Sequence, residues 1–141
     1  MDEPAILRLN ANLSDLEDIR NFVEKYAQRL NVDPSATYDI LLSVTEMVTN
    51  TIVHGYRGES GPIEIEISQQ DEALVVFLRD EAPPFDPTQL PTPDITLPLE
   101  QRPVGGLGVY LTREFMDRMS YRQGPRGGNE IVLVKEGIIP R

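Results

Sequence analysis

The chain has 141 residues and no cysteine, which excludes disulfides, thiolate nucleophiles and thiolate metal sites together. Its single histidine, His54, excludes a multi-histidine zinc site and weakens a Ser-His-Asp reading. A net charge of -10, with Lys25 and Lys135 the only lysines, argues against a phosphate backbone as partner, so no direct contact with nucleic acid is expected.

The length, with 40% hydrophobic and 26% charged residues, predicts one globular domain over residues 1–141. No apolar run approaches the ~20 residues that span a bilayer. Met1-Asp2-Glu3-Pro4 lacks the apolar core of a signal peptide. The expectation is a soluble cytoplasmic protein that does not enter a membrane.

Alternation predicts a short strand over Ala5 to Leu9. Ser14 and Glu17 form the pattern of a capping box. The helix that follows runs to about Leu30, with Ile19, Phe22, Val23, Tyr26 and Ala27 on one face. Asp33-Pro34 opens a second helix ending near Gly55, with the stripe Ile40, Leu41, Val44, Met47, Val48, Thr51 and Ile52. Ile63, Ile65 and Ile67 alternate with glutamates, and Leu74 to Leu78 is an apolar run. Together these predict a hairpin.

The composition then shifts. Pro83, Pro84, Pro87, Pro91, Pro93, Pro98 and Pro103 leave no room for a long regular element. A connection this long inside a domain is usually functional or disordered. Gly105-Gly106-Leu107-Gly108 closes it. A helix carrying Val109, Leu111, Thr112, Phe115, Met116 and Met119 follows, then a last hairpin over Ser120–Gln123 and Glu130–Lys135. Early helices with strands mostly in antiparallel pairs predict an α+β two-layer sandwich.

Three places are able to carry chemistry. Glu46, Asn50 and His54 are spaced i, i+4, i+8 on the second helix, with Asp39 and Ser43 on the same side, roughly opposite Leu41, Val44 and Val48. No Lys or Arg interrupts this row from Ser35 to His54, unlike an ordinary solvated face. An amide one turn from a carboxylate suits an oxygen-seeking cation such as Mg²⁺. Asp80 ends an apolar strand, where a held carboxylate can accept from an exocyclic amine and reject a carbonyl in its place. The glycines at 105, 106 and 108 begin a helix, where backbone N–H groups can approach an anion. They match neither a Walker A loop nor the dinucleotide fingerprint. Arg102 and Arg113 flank them as cations for a phosphate tail. Asp80 with Asp86 is an alternative acid/base pair for a hydrolase.

These motifs occur in a telling order. Glu46-Met-Val-Thr-Asn50-Thr-Ile-Val-His54-Gly-Tyr, Asp80-Glu-Ala-Pro-Pro-Phe-Asp-Pro, Gly105-Gly-Leu-Gly-Val-Tyr-Leu and Gly127-Gly-Asn129 resemble the N, G1, G2 and G3 boxes of the Bergerat-type ATP-binding fold. DNA gyrase, the heat-shock chaperone ATPase and histidine kinases share that fold. The first box looks most like that of the anti-sigma-factor serine/threonine protein kinases of bacterial partner switching.

The resemblance implies a mixed, mainly antiparallel sheet with helices on one face. It implies ATP between the helices, under a lid over about 83–108. Carried over, Glu46 is the general base and Asn50 the Mg²⁺ ligand, and Asp80 reads the adenine amine. His54, Ala82, Arg102, Gly105, Gly106, Leu107, Gly108, Val109 and Asn129 fall at nucleotide-binding positions. Implied partners are an antagonist protein phosphorylated on serine, a sigma factor and a second copy of the chain. A non-catalytic, nucleotide-dependent switch module is the alternative. Two departures stand out: Ala82 and Pro84 replace the G1 glycines, and Asn129 replaces the G3 threonine.

Overall fold

The computed structural model describes residues 3–90, 96, 106–124 and 127–140. Five strands form one sheet in the order β1-β2-β3-β5-β4. β1 (Ala5–Ala11) is an edge strand; its inward residues Ala5, Leu7, Leu9 and Ala11 lie opposite Ile67, Ile65, Ile63 and Gly61 of β2 (Gly61–Gln70). The chain then turns through a short 3₁₀ segment, Leu13–Asp15, into α1 (Leu16–Arg29). The cap is Asn12, not the Ser14 and Glu17 that the sequence pattern predicts. Asn12 Oδ1 accepts from Ser14 N at 2.9 Å, and Asp15 Oδ2 accepts from Asn12 N at 2.9 Å. The same reciprocal box is built two residues earlier because the first turn is 3₁₀.

α1 buries Ile19, Val23, Tyr26 and Ala27, an i, i+4, i+7, i+8 stripe. Asp33 caps α2 (Pro34–Asn50) by accepting from Ala36 N at 2.9 Å, with Pro34 in the first turn. Ile40, Val44, Met47 and Val48 face the sheet side of the core. Ser43 is also fully buried, so it does not share an exposed face with Glu46. The reason is a second neighbour: α3 (Gly106–Phe115) packs along α2, which is therefore covered on two sides.

β2 and β3 (Ala73–Asp80) form the expected hairpin, and β5 (Asn129–Lys135) lies on the far side of β3. β4 (Arg118–Gln123) completes the sheet. Met119 lies on β4, not on the helix the sequence predicts, because α3 ends at Phe115. Every pairing is antiparallel. β3 and β4 do run in the same direction, as a mixed sheet would need, but β5 is inserted between them and takes both sets of hydrogen bonds.

The helices cover one face of the sheet, and the core lies between. The other face carries a row of alternating charge across all the strands. Arg8 meets Glu64 at 2.7 Å, Arg79 meets Glu64 at 2.6 Å and Glu130 at 2.7 Å, and Arg122 meets Glu130 at 2.6 Å. Burial pushes the Glu130 carboxyl up, but the Arg122 and Arg79 hydrogen bonds outweigh it and hold it below its ordinary value. No described helix is long and apolar enough to cross a membrane.

The β4–β5 turn reaches back to β3. Gly128 has φ +79°, and a Cβ there would lie 2.1 Å from the Asp80 carbonyl oxygen. Gly128→Ala is therefore expected to cost about 3 kcal/mol, from left-handed backbone plus overpacking. Urea unfolding checks this; a loss of well under 1 kcal/mol would contradict the close approach.

Candidate functional site

The sheet's alternation places the first functional side chain. Leu74, Val76 and Leu78 point to the helices, and Asp80 is the next residue of that row. Register then pairs Asp80 with Ile63 on one side and Asn129 on the other. Two polar residues thus end two buried apolar rows side by side. Asp80 Oδ1 accepts from Asn129 Nδ2 at 2.9 Å and from Ala82 N at 2.9 Å. Thr51 Oγ1 lies 3.3 Å from Asp80 Oδ2 and 3.2 Å from the Met47 carbonyl, so one proton serves two acceptors. Burial pushes the Asp80 carboxyl above its ordinary value, and the hydrogen bonds from Asn129, Ala82 and Thr51 only partly offset this.

The second wall comes from the end of α2. After Asn50 the helix widens into a π-helical turn, Thr51–Gly55, closed by Tyr56 N to Thr51 O at 2.8 Å. Such turns are rare and frequent at functional sites. Gly55 abuts Ala82, two residues past the strand end: a Cβ on Gly55 would lie 2.8 Å from Ala82 Cβ. Tyr56 ties the same corner, accepting from Glu81 N at 2.8 Å and donating to the Pro62 carbonyl at 2.6 Å.

Between these walls lies a cleft of ≈ 260 Å³. Met47, Ala82, Pro83, Pro84, Pro87 and Ile131 supply apolar lining, and Phe85 stands at its wall. Asn50, Thr51, His54, Asp80 and Asn129 supply the polar groups. A mostly apolar cleft with a few convergent polar groups is the ordinary form of a small-molecule site. Asn50 Nδ2 is buried and has no hydrogen-bond partner among the described residues. His54 is on the rim and exposed.

One turn back, Glu46 meets the glycine motif. A Cβ on Gly108 would lie 2.6 Å from Glu46 Oε2 and 3.4 Å from Glu46 Cβ, so the start of α3 runs close against this side chain. Glu46, Leu107, Gly108 and Val109 are not among the described residues that line the cleft. The Val109 side chain is buried in the core, which leaves only its backbone for a ligand. Arg102 and Gly105 lie outside the described residues, as do 91–95 and 97–104 of the expected lid.

Two residues are engaged locally. Arg113 Nη1 donates to the Leu90 carbonyl at 3.0 Å and Nη2 to that of Thr88, pinning the segment after Pro87 against α3. Asp86 caps that segment by accepting from Thr88 N at 2.9 Å. Three residues in or behind the cleft escaped the sequence reading. Thr51 reads there as helix stripe, Phe85 as part of a proline tract, and Tyr121, behind Asn129, as an ordinary strand residue. Phe85 alone left a signal, an aromatic amid prolines directly after a strand-end acid.

The Asp80 carboxylate and the Asn50 amide thus border one mostly apolar cleft, the form a small-molecule site takes. The chain belongs to the histidine kinase-like ATPase domain family, which matches residues 9–135. Within it, the chain is similar to the serine-protein kinases RsbW. It is 27% identical over 115 residues to that of Bacillus cereus strain Q1, covering 79% of this chain and 72% of the relative. The RsbW of Bacillus anthracis strain CDC 684 / NRRL 3495 gives the same figures, 27% over 115 residues. That of Bacillus cereus strain AH187 is 31% identical over 83 residues, covering 56% and 52%.

Among solved structures, the RsbU and RsbW domains of Rv1364c from Mycobacterium tuberculosis align with a TM-score of 0.67 at 17% identity. The match covers 96% of this chain, which spans about a third (32%) of that one. At this identity the likeness speaks for the fold.

Proposed function

We propose that the chain is an ATP-dependent serine/threonine protein kinase that acts as an anti-sigma factor, transferring phosphate to a serine of an antagonist protein. What supports this most is one observation: the unpartnered Asn50 amide and the Asp80 carboxylate border the same ≈ 260 Å³ cleft in a chain of the ATPase family. Residues 1–141 act as one domain, with 83–108 as its lid.

In this reading the adenine amine donates to Asp80, and the apolar walls exclude water from the base. The phosphates run toward Asn50 and the start of α3, where Gly106, Leu107, Gly108 and Val109 offer backbone N–H groups. Asn50 would hold Mg²⁺ through its Oδ1, while its buried Nδ2, without a partner among the described residues, is a free donor for a phosphate oxygen; no group of three or more His, Asp or Glu is assembled among the described residues to hold a metal alone. When bound, the ion neutralises charge on the transferred phosphoryl group. Glu46 takes the proton from the serine hydroxyl as its oxygen attacks the γ-phosphorus, and ADP leaves. The acidic charge of -10 favours a partner with a basic face, and a sigma factor is the proposed second partner. The chain works in the cytoplasm, in this reading as a homodimer.

The test is incubation of the purified protein with Mg²⁺ and γ-labelled ATP, followed by capture of partners from a bacterial lysate. Label on a serine of a small captured protein is the expected result. Uptake of ATP without transfer favours the switch module, and no uptake of ATP overturns both.

A further inference from the structure

Asn129 holds more of the cleft together than any other side chain. It is 6% exposed and sits on the inner face of β5, directly across from Asp80. A side-chain amide has two donor hydrogens and one oxygen with two lone pairs. Here all are used. Nδ2 donates to Asp80 Oδ1 at 2.9 Å and to the Pro83 carbonyl at 3.2 Å; Oδ1 accepts from Phe85 N at 2.8 Å and from the Tyr121 hydroxyl at 2.8 Å. Nothing remains for a ligand. Asn129 therefore acts on a nucleotide only through what it holds.

Two things are held. The first is the orientation of Asp80. With Oδ1 taken by Asn129 and Ala82 N, Oδ2 keeps spare lone pairs, since its side-chain partner among the described residues, Thr51, is 3.3 Å away and shared with Met47. A base presenting an amine finds an acceptor there; one presenting a carbonyl meets an unpaired carboxylate. The second is the Pro83–Phe85 wall. Its prolines restrict the backbone, and Asn129 pins it at the Pro83 carbonyl and the Phe85 amide. That leaves the Phe85 ring, 50% exposed, at the cleft wall as a flat face for a base. Threonine, with a single hydroxyl, cannot reach four partners on both sides. The two departures from the family's motifs thus fit each other: a wall without flexible glycines is matched by a residue long enough to brace it.

We infer that Asn129, anchored by Tyr121, is a positioning residue that sets the preference for a 6-aminopurine over a 6-oxopurine by fixing the Asp80 carboxylate and the Phe85 wall at once. This rests on the nucleotide reading above. The test is the ratio of ATP to GTP affinity, by competition against a fluorescent ATP analogue, in the full chain. Asn129→Thr is expected to weaken ATP about 30-fold and GTP less than 3-fold, so the preference collapses. Tyr121→Phe removes one hydroxyl and is expected to lower the ratio about 3-fold, with the melting temperature little changed. A purely structural role would lower both affinities together. A ratio unchanged in both variants therefore overturns the inference, even where affinity falls. If Asn129→Thr does not fold, Tyr121→Phe decides alone. A parent protein that binds neither nucleotide overturns the nucleotide reading itself, and this inference with it.

Discussion

Asp80→Ala is expected to weaken ATP binding by about 100-fold or more, the equivalent of about 3 kcal/mol for a hydrogen bond to an ionised group. The residue ends the Leu74, Val76, Leu78 row, so its carboxylate is delivered to the cleft by the strand and not by a movable loop. Titration calorimetry with Mg²⁺ checks the loss, and retained affinity would remove the base-reading role. The raised Asp80 carboxyl adds a pH signature. Between its ordinary value of 3.8 and its higher folded value, the native state binds more protons than the unfolded chain. Stability owed to Asp80 therefore falls as pH rises through that window. ATP binding needs the ionised form and moves the other way, weakening as pH drops through it. Parent and Asp80→Ala measured in parallel separate this group from the lowered Glu64 and Glu130, whose stabilising contributions are lost on further acidification.

Glu46→Gln is expected to lower phosphate transfer by about 10²–10⁴-fold while ATP affinity stays within about 2-fold. The carboxylate lies outside the cleft lining, so the nucleotide has little to lose there. It stands against Gly108 at the start of α3. Losing the negative charge keeps the shape and removes the base. Single-turnover transfer to the captured partner separates chemistry from binding. Unchanged transfer would exclude Glu46 as the base, and loss of ATP affinity in step with transfer would make it a binding residue instead.

Much of the architecture was legible because it is local. Period-2 alternation marked β2, and the apolar run marked β3. Asp33-Pro34 marked the start of α2, and the proline tract marked the break between the two halves. Asp80 was legible for the same reason: a polar residue that continues a buried row must end at the mouth of the core. The helix phase of Glu46 and Asn50 was readable, but not what covered it. Ser43 looked like their neighbour and proved buried, since α3 closes that side of α2.

Local sequence alone determined the elements, the acid at the strand end and the amide on the helix, because a residue's own neighbours decide periodicity, caps and breaks. Tertiary structure decided which polar groups answer one another. Asn129 meets Asp80 across 49 positions and Phe85 across 44, and Arg113 reaches Thr88 across 25. Those pairings depend on strand register and helix docking, which are set by burying the whole core and leave no periodic trace along the chain.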